Sequence, residues 1–256
     1  MTEPVIRLQR PTAMKRTPLA LATIALLASG CGQQGGTTTE TQRSDNNNND
    51  NKIGSCTTSD DAVVRARPVY EAIDLDHDGV GESLMVTRPD STCPNIMFTK
   101  VDARFTSVPL KDLQLDLRSA RRVIVPGRDG DLVAIREVHP RGGFQEHLYA
   151  YADGKLAEVK TSGGDLPVPF VATDTKGGYV SASCADGGFV VRQAVVHQPP
   201  GIVFTWDVRE TAYQLDGATA KSGGVDEVKD NVLDQYLRRD FPELVGREMF
   251  KSGCGA

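Results

Sequence analysis

Residues 74–82 read DLDHDGVGE, the stretch of this chain whose residue types and spacing are best suited to chemistry. Asp74, Asp76 and Asp78 alternate, Gly79 follows, and Glu82 comes four residues after Asp78. Alternating aspartates on a loop that curls at a glycine aim their carboxylates at one centre. A hard cation such as calcium takes six to eight oxygens at about 2.4 Å. The carbonyl of Val80 and the carboxylate of Glu82 would extend the shell that the three aspartates begin, with water filling any gap. The plainer alternative is an acidic turn that binds nothing. This is not a standard EF-hand, because position 12 of the loop is Met85 where that motif carries a bidentate glutamate. The flanks, YEAI and SLMVT, read as strands rather than helices. An ion held here would be structural, since carboxylates drawn together without one repel.

The D-x-D-x-D-G-x-x-E pattern between two strands resembles the calcium loops of FG-GAP and VCBS repeats, which run D-x-D-x-D-G-x-x-D. The resemblance implies calcium ligands at Asp74, Asp76, Asp78, the Val80 carbonyl and Glu82. Glu82 departs mildly from the usual Asp, and His77 stands where Gly is usual, at a position whose side chain faces outward. Residues 127–131, GRDGD, read as a degenerate second copy with too few carboxylates to hold a metal.

The elements that must position this loop lie outside a leader and a spacer. Lys15 and Arg16 precede an uncharged, mostly apolar run of about ten residues, and Ala28-Ser29-Gly30 then leads into Cys31. That run is too short to span a bilayer, which takes about 20 apolar residues. Residues 1–30 therefore read as a signal peptide, with Met1 or Met14 as the start. The site resembles a lipobox, the bacterial lipoprotein processing site, with Ala28 where Leu or Val is commoner. The resemblance implies a diacylglycerol on the Cys31 thiol, a membrane partner held through that lipid, and a domain on the outer face of the cell membrane. Ordinary cleavage after Gly30, giving a secreted protein, is the simpler alternative. Residues 31–61 read as the lipidated cysteine followed by a disordered polar spacer. Lipobox, spacer, a single acidic loop and hairpins such as LYAYADGKLAEV together resemble a group of actinobacterial lipoproteins of unassigned function.

Residues 62–256 are expected to form one domain, large enough for a core. Short β-branched and aromatic runs alternate with Gly, Pro, Asp and Asn, which predicts a mainly β fold of antiparallel hairpins in a blade-like or sandwich arrangement. Strands are predicted over 69–74, 82–87, 96–105, 122–125, 131–139, 144–152, 155–160, 170–173, 178–184, 188–196, 202–208 and 211–215. Asp-Gly or Gly-Gly turns recur near residues 78, 129 and 177, roughly 50 residues apart, the period of an array of blades. Val228, Val232, Tyr236 and Leu237 share a helical face, so one helix is predicted over 226–239, stopped by Pro242. Apart from Cys31, the cysteines are Cys56, Cys93, Cys184 and Cys254. An even number in an exported chain suits disulfides, and three connectivities are open. Pairing Cys56 with Cys254 would clasp the ends and leave Cys93 for Cys184. A zinc site is the rival use, but there is no close Cys/His spacing.

No catalytic set is legible. His77, His139, His147 and His197 lack a partner serine motif, and neither G-x-S-x-G nor H-E-x-x-H occurs. If residues 132–139 and 144–151 form a hairpin, Glu137 would lie opposite Glu146 with His139 nearby. Two facing carboxylates can bind a metal or raise one pKa. This pair is the footing for an alternative reading, an envelope hydrolase, although a one-residue slip would separate it. Trp206 is expected to fill core. A net charge of −5 with mixed signs and no basic stripe argues against nucleic acid as a partner. The preferred expectation is a non-catalytic, calcium-stabilised module that binds an unknown ligand or protein of the cell envelope. Replacing Cys31 by Ser is expected to release the protein from the membrane pellet into the soluble fraction, read by fractionation and by mass spectrometry of the mature N-terminus.

Overall fold

Most apolar and β-branched runs of the sequence pair with their immediate neighbours, and each sheet is one contiguous stretch of chain. The computed structural model describes residues 52–53, 56–57, 59–88, 92–93, 95–110, 115–138, 143–161, 164–165, 178–197 and 205–255. An outer layer comprises β1 (Lys52–Ile53), β2 (Cys56–Thr57) and the short α1 (Asp61–Val64). The first large sheet holds β3 (Arg67–Ile73), β4 (Glu82–Val86), β5 (Ile96–Val101) and β6 (Arg104–Pro109), hydrogen-bonded in chain order. The second holds β7 (Leu115–Val123), β8 (Leu132–Val138), β9 (Phe144–Ala152) and β10 (Lys155–Glu158), again in chain order. The third contains β11 (Lys160–Thr161), β12 (Gly164–Asp165), β13 (Tyr179–Ala185), β14 (Gly188–Val196), β15 (Thr205–Asp216) and β16 (Thr219–Leu233), in the order β12-β11-β16-β15-β14-β13. Two short helices follow, α2 (Asp234–Asp240) and α3 (Pro242–Val245). The fold is mainly β and antiparallel, as the sequence predicted.

Three sheets stack face to face because the middle one is apolar on both sides. In β8, Leu132, Val133, Ala134 and Ile135 are all fully buried. A continuous apolar run is the signature of a strand covered on both faces. Val133 and Ile135 pack with Ile73, Leu84 and Met97 of the first sheet. Leu132 and Ala134 pack with Val180, Phe189 and Val191 of the third. Burying each large aliphatic side chain contributes about 1.5–3 kcal/mol. The two ends of the stack are capped. Ile53 and Cys56 pack on Ile96 and Phe98 of the first sheet, and Leu237, Phe241 and Leu244 pack on Trp206 and Val208 of the third. The C-terminal tail runs parallel to β13, with Met249 opposite Ala182, and reaches the second sheet, where Gly255 pairs with Ile124.

Several expectations are corrected. The predicted helix over 226–239 is strand as far as Leu233, and only Asp234–Asp240 is helical. Val225 and Val228 are exposed, so the supposed helical stripe has no apolar surface to bury, whereas pairing with β15 satisfies the backbone from Asp226 to Val232. Pro242 ends α2 and opens α3 at its first turn, where a missing N–H costs nothing. The predicted strand over 96–105 is two strands turning at Asp102 and Ala103, both at positive φ. Of the segment 122–125, Arg122 and Val123 close the longer β7 and Ile124 bridges to Gly255, while 202–208 and 211–215 merge into β15 over the described residues. The packed part also begins before residue 62, since Ile53 and Cys56 are fully buried. Residues 170–173, His139 and Cys31 lie outside the described residues.

Disulfide pairing differs from the clasp of the two ends. Cys56 bonds Cys93, and Cys184 bonds Cys254. Cys56 sits on the outer side of the first sheet and Cys254 in the tail beside the third, so the second sheet separates them. The first bridge instead pins the outer layer beside the first sheet, and the second ties the C-terminal tail to β13 next to the core between the second and third sheets. Replacing Cys184 and Cys254 together by Ala opens a loop of sequence separation 70. The expected loss is about 4 kcal/mol on the chain-entropy model, measured by urea unfolding without reductant.

Candidate metal centre

The acidic loop joins β3 to β4, as its strand-like flanks predicted. It folds through short side-chain to backbone hydrogen bonds of the kind aspartate makes in turns. The N–H of Asp78 donates to Asp76 Oδ1 at 3.3 Å, that of Val80 to Asp78 Oδ1 at 2.7 Å, and that of Gly79 to Asp74 Oδ2 at 3.2 Å. His77 and Gly79 both take positive φ, 65° and 83°, which curls the loop; Gly79 does so without a Cβ penalty. The result brings one carboxylate oxygen each from Asp74, Asp76 and Asp78 within 4.8 Å of one another, a group able to hold a metal ion. Asp74 Oδ1 is buried and has no hydrogen-bond partner. Burial raises the Asp76 pKa, and the charges of Asp78 and Asp102 add to the shift.

Glu82 does not join the three aspartates. It is buried and its Oε2 accepts the N–H of Leu75 at 2.8 Å, bracing the first turn of the loop from below. Burial raises its pKa too, with repulsion from Asp76 and Asp78 contributing. Its predicted role as a ligand is therefore replaced by a bracing one. The Val80 side chain is exposed, which leaves only its backbone for the predicted contact.

The residue that sequence reasoning missed is Asp131. Its Oδ2 accepts the N–H of Asp74 at 3.1 Å, and its own N–H donates to the Asp74 carbonyl at 2.8 Å. Arg122 Nε holds the same Oδ2 at 2.5 Å. Gly130, at φ +75°, lies so close to the Leu75 carbonyl that a Cβ there would collide with it. The motif over 127–131 thus docks on the first acidic loop instead of forming a second one. Its Asp-Gly-Asp spelling was the available signal, but nothing local shows a contact across 57 positions.

The Glu137/Glu146 pair is not formed. β8 and β9 pair Glu137 with Gln145 and Arg136 with Glu146, one residue away from the predicted register, so the two glutamates point to opposite faces. Glu146, its side chain fully buried, accepts from Arg121 and Arg136, each at 3.0 Å, on the side of the third sheet. Glu137 faces the first sheet and meets His147 Nε2 at 2.9 Å, while Glu158 meets Nδ1 at 2.7 Å. An imidazole with a carboxylate at each nitrogen is satisfied only as the doubly protonated cation. Burial lowers the His147 pKa, but its hydrogen bonds to Glu158 and Glu137 outweigh that and hold the ring above the ordinary imidazole value.

Comparison with known proteins finds no family model that fits the chain, and no curated protein or solved structure that matches it.

A raised histidine pKa stabilises the fold below the unfolded value of about 6.5, and the contribution disappears as pH climbs through the higher folded value. Urea unfolding is therefore expected to show stability falling as pH rises above the ordinary imidazole value, and His147→Gln is expected to flatten that limb.

Proposed function

We propose that this chain is a lipid-anchored, non-catalytic β module of the cell envelope whose acidic loop is held by calcium, with Asp74, Asp76, Asp78 and the Val80 carbonyl as ligands. The observation that carries the metal reading is that Asp74, Asp76 and Asp78 bring carboxylate oxygens within 4.8 Å of one another, and that Asp74 also holds a buried Oδ1 with no partner. Two carboxylates about 4 Å apart repel by about 1 kcal/mol in water and about 4 kcal/mol at the effective dielectric of a protein surface. A divalent cation removes that repulsion and supplies the missing partner. Oxygen-only donors on an irregular loop favour calcium over zinc, which prefers nitrogen and sulfur ligands in a tetrahedron. Magnesium demands a stricter octahedron and gives up its waters reluctantly.

The loop lies at the junction of the first two sheets, through Asp131, so an ion there would stiffen the stack and not merely the turn. The anchor rests on the Cys31 motif, and the envelope setting agrees with the two disulfides among the described residues, which belong in an oxidising compartment. Among the described residues no helix is long and apolar enough to cross a membrane.

Calcium at about a hundredfold excess over its Kd is expected to stabilise the protein by about 2.7 kcal/mol, a rise in Tm of about 5–10 °C for a domain of this size. Asp76→Ala is expected to abolish that rise. Thermal unfolding with calcium, with magnesium and with chelator reads the result, and a Tm indifferent to both metal and substitution removes the metal from the proposal.

A further inference from the structure

The outer face of the third sheet carries a cavity unrelated to the acidic loop. It lies between β13 and β14 on one side and α3 with the C-terminal tail on the other, and its volume is about 440 Å³. Small-molecule sites occupy about 300–1,000 Å³. Its wall is built by alternation: Val180 and Ala182 face the core, so Ser181 and Ser183 turn to the opposite face. Ser252 completes the wall from the tail. The tail is fixed there by Ala182 N–H to the Glu248 carbonyl at 2.9 Å, by Cys184 N–H to the Ser252 carbonyl at 3.0 Å, and by the Cys184–Cys254 bond.

Two observations on this wall point to a ligand. Ser181 is only 5% exposed, and its hydroxyl, like those of Ser183 and Ser252, has no hydrogen-bond partner among the described residues. The Ser181 oxygen is not sealed in the core but opens onto the cavity, where a ligand's donor can reach it. The second observation is the charge. The lining carboxylates of Asp240, Glu243 and Glu248 outnumber a single cation, Arg192. Arg192 is already committed, to Glu210 at 2.7 Å and Glu243 at 2.6 Å. Asp240 is likewise taken, by Arg239 at 2.6 Å and Lys229 at 3.2 Å. Glu248 alone has no hydrogen bond to its carboxylate, its nearest cation being Lys251 Nζ at 3.8 Å.

We propose that this cavity is a binding site for a primary ammonium group, with the Glu248 carboxylate as its counter-ion and the hydroxyls of Ser181, Ser183 and Ser252 as further acceptors. An ammonium carries three N–H donors and no acceptor, which suits a wall of free acceptors around one carboxylate whose only cation among the described residues is Lys251, a loose 3.8 Å away. An anion would face three carboxylates with no free cation. A neutral polyol would forgo the charge-assisted bond, which is about twice as strong as a neutral one. The ammonium can belong to a free amine or to a lysine side chain, and the two share this chemistry. The site stands on the third sheet and the tail, and holds whether or not the acidic loop binds calcium or Cys31 carries lipid.

Isothermal titration calorimetry of the full chain with 1,5-diaminopentane, Nα-acetyl-lysine amide and the doubly acetylated lysine amide tests it. Both ammonium probes are expected to bind at millimolar concentration or below, and the doubly acetylated probe, which lacks the charge, is expected not to. Tighter binding of the lysine derivative identifies a protein chain as the source, and tighter binding of the diamine a free amine. Glu248→Gln is expected to weaken binding by about tenfold. Ser183→Leu fills the cavity from the sheet side and is expected to abolish it. Far-ultraviolet circular dichroism selects the folded variants, and either one suffices. No binding by the wild-type chain, equal binding of the uncharged probe, or undiminished binding by a folded variant overturns the proposal.

Discussion

Leu132 to Ile135 of β8 are shut off from water on both sides, and that double burial dictates most of the architecture. A strand with one wet face can rest on a single partner layer, but a strand with none needs a sheet above and a sheet below. The first and third sheets meet that need, and each turns its own apolar alternation inward. Asp131 immediately precedes this strand in the chain. The stacking that buries Leu132 therefore also presents Asp131 to the backbone of Asp74, so the geometry of the acidic loop follows from the packing of the core beside it.

Polar groups at the two faces of the second sheet obey the same constraint. Glu146 looks toward the third sheet and is enclosed by Arg121 and Arg136, whose guanidiniums also lie over the rings of Phe250 and Phe144. His147, the next residue, looks toward the first sheet and is enclosed by two glutamates from the strands on either side. Consecutive residues of one strand thus present an acidic and a basic group to opposite faces. Neither charge is tolerable at that depth without its partners, since breaking a buried pair costs about 3–5 kcal/mol. These two clusters discriminate against a shifted register, because a slip of one residue would send each ion to the wrong side.

Much of this was legible from the residues. The run Leu132 to Ile135, the alternation in β14 and the turn at Asp153-Gly154 specify strands and hairpins locally, and the aspartates of the acidic loop declare their spacing. What was not legible depends on distance or on context. Val228 and Val232 satisfy a helical period as readily as a strand, and only the absence of a surface for Val225 and Val228 to cover decides between them. The facing of Glu137 and Glu146 hangs on one residue of loop length. The disulfide pairing follows from which layers are neighbours, which the cysteine positions do not encode. Asp131 spells out a weak copy of the acidic motif while serving the first one, a relation visible only once the sheets are stacked.

The contiguity of each sheet has a consequence for how the molecule comes into being. No strand of the first sheet waits for a partner synthesised much later, so hairpins can close in the order in which ribosomes deliver them. Two pairings must wait: β11 for β16, and the last stretch, residues 248–255, which returns to Ala182 and Ile124 before Cys254 can find Cys184. Maturation therefore ends with the closure of this tail, and a chain truncated by a few residues would keep its stacked layers while lacking the strap that ties the edge of the third sheet to Ile124.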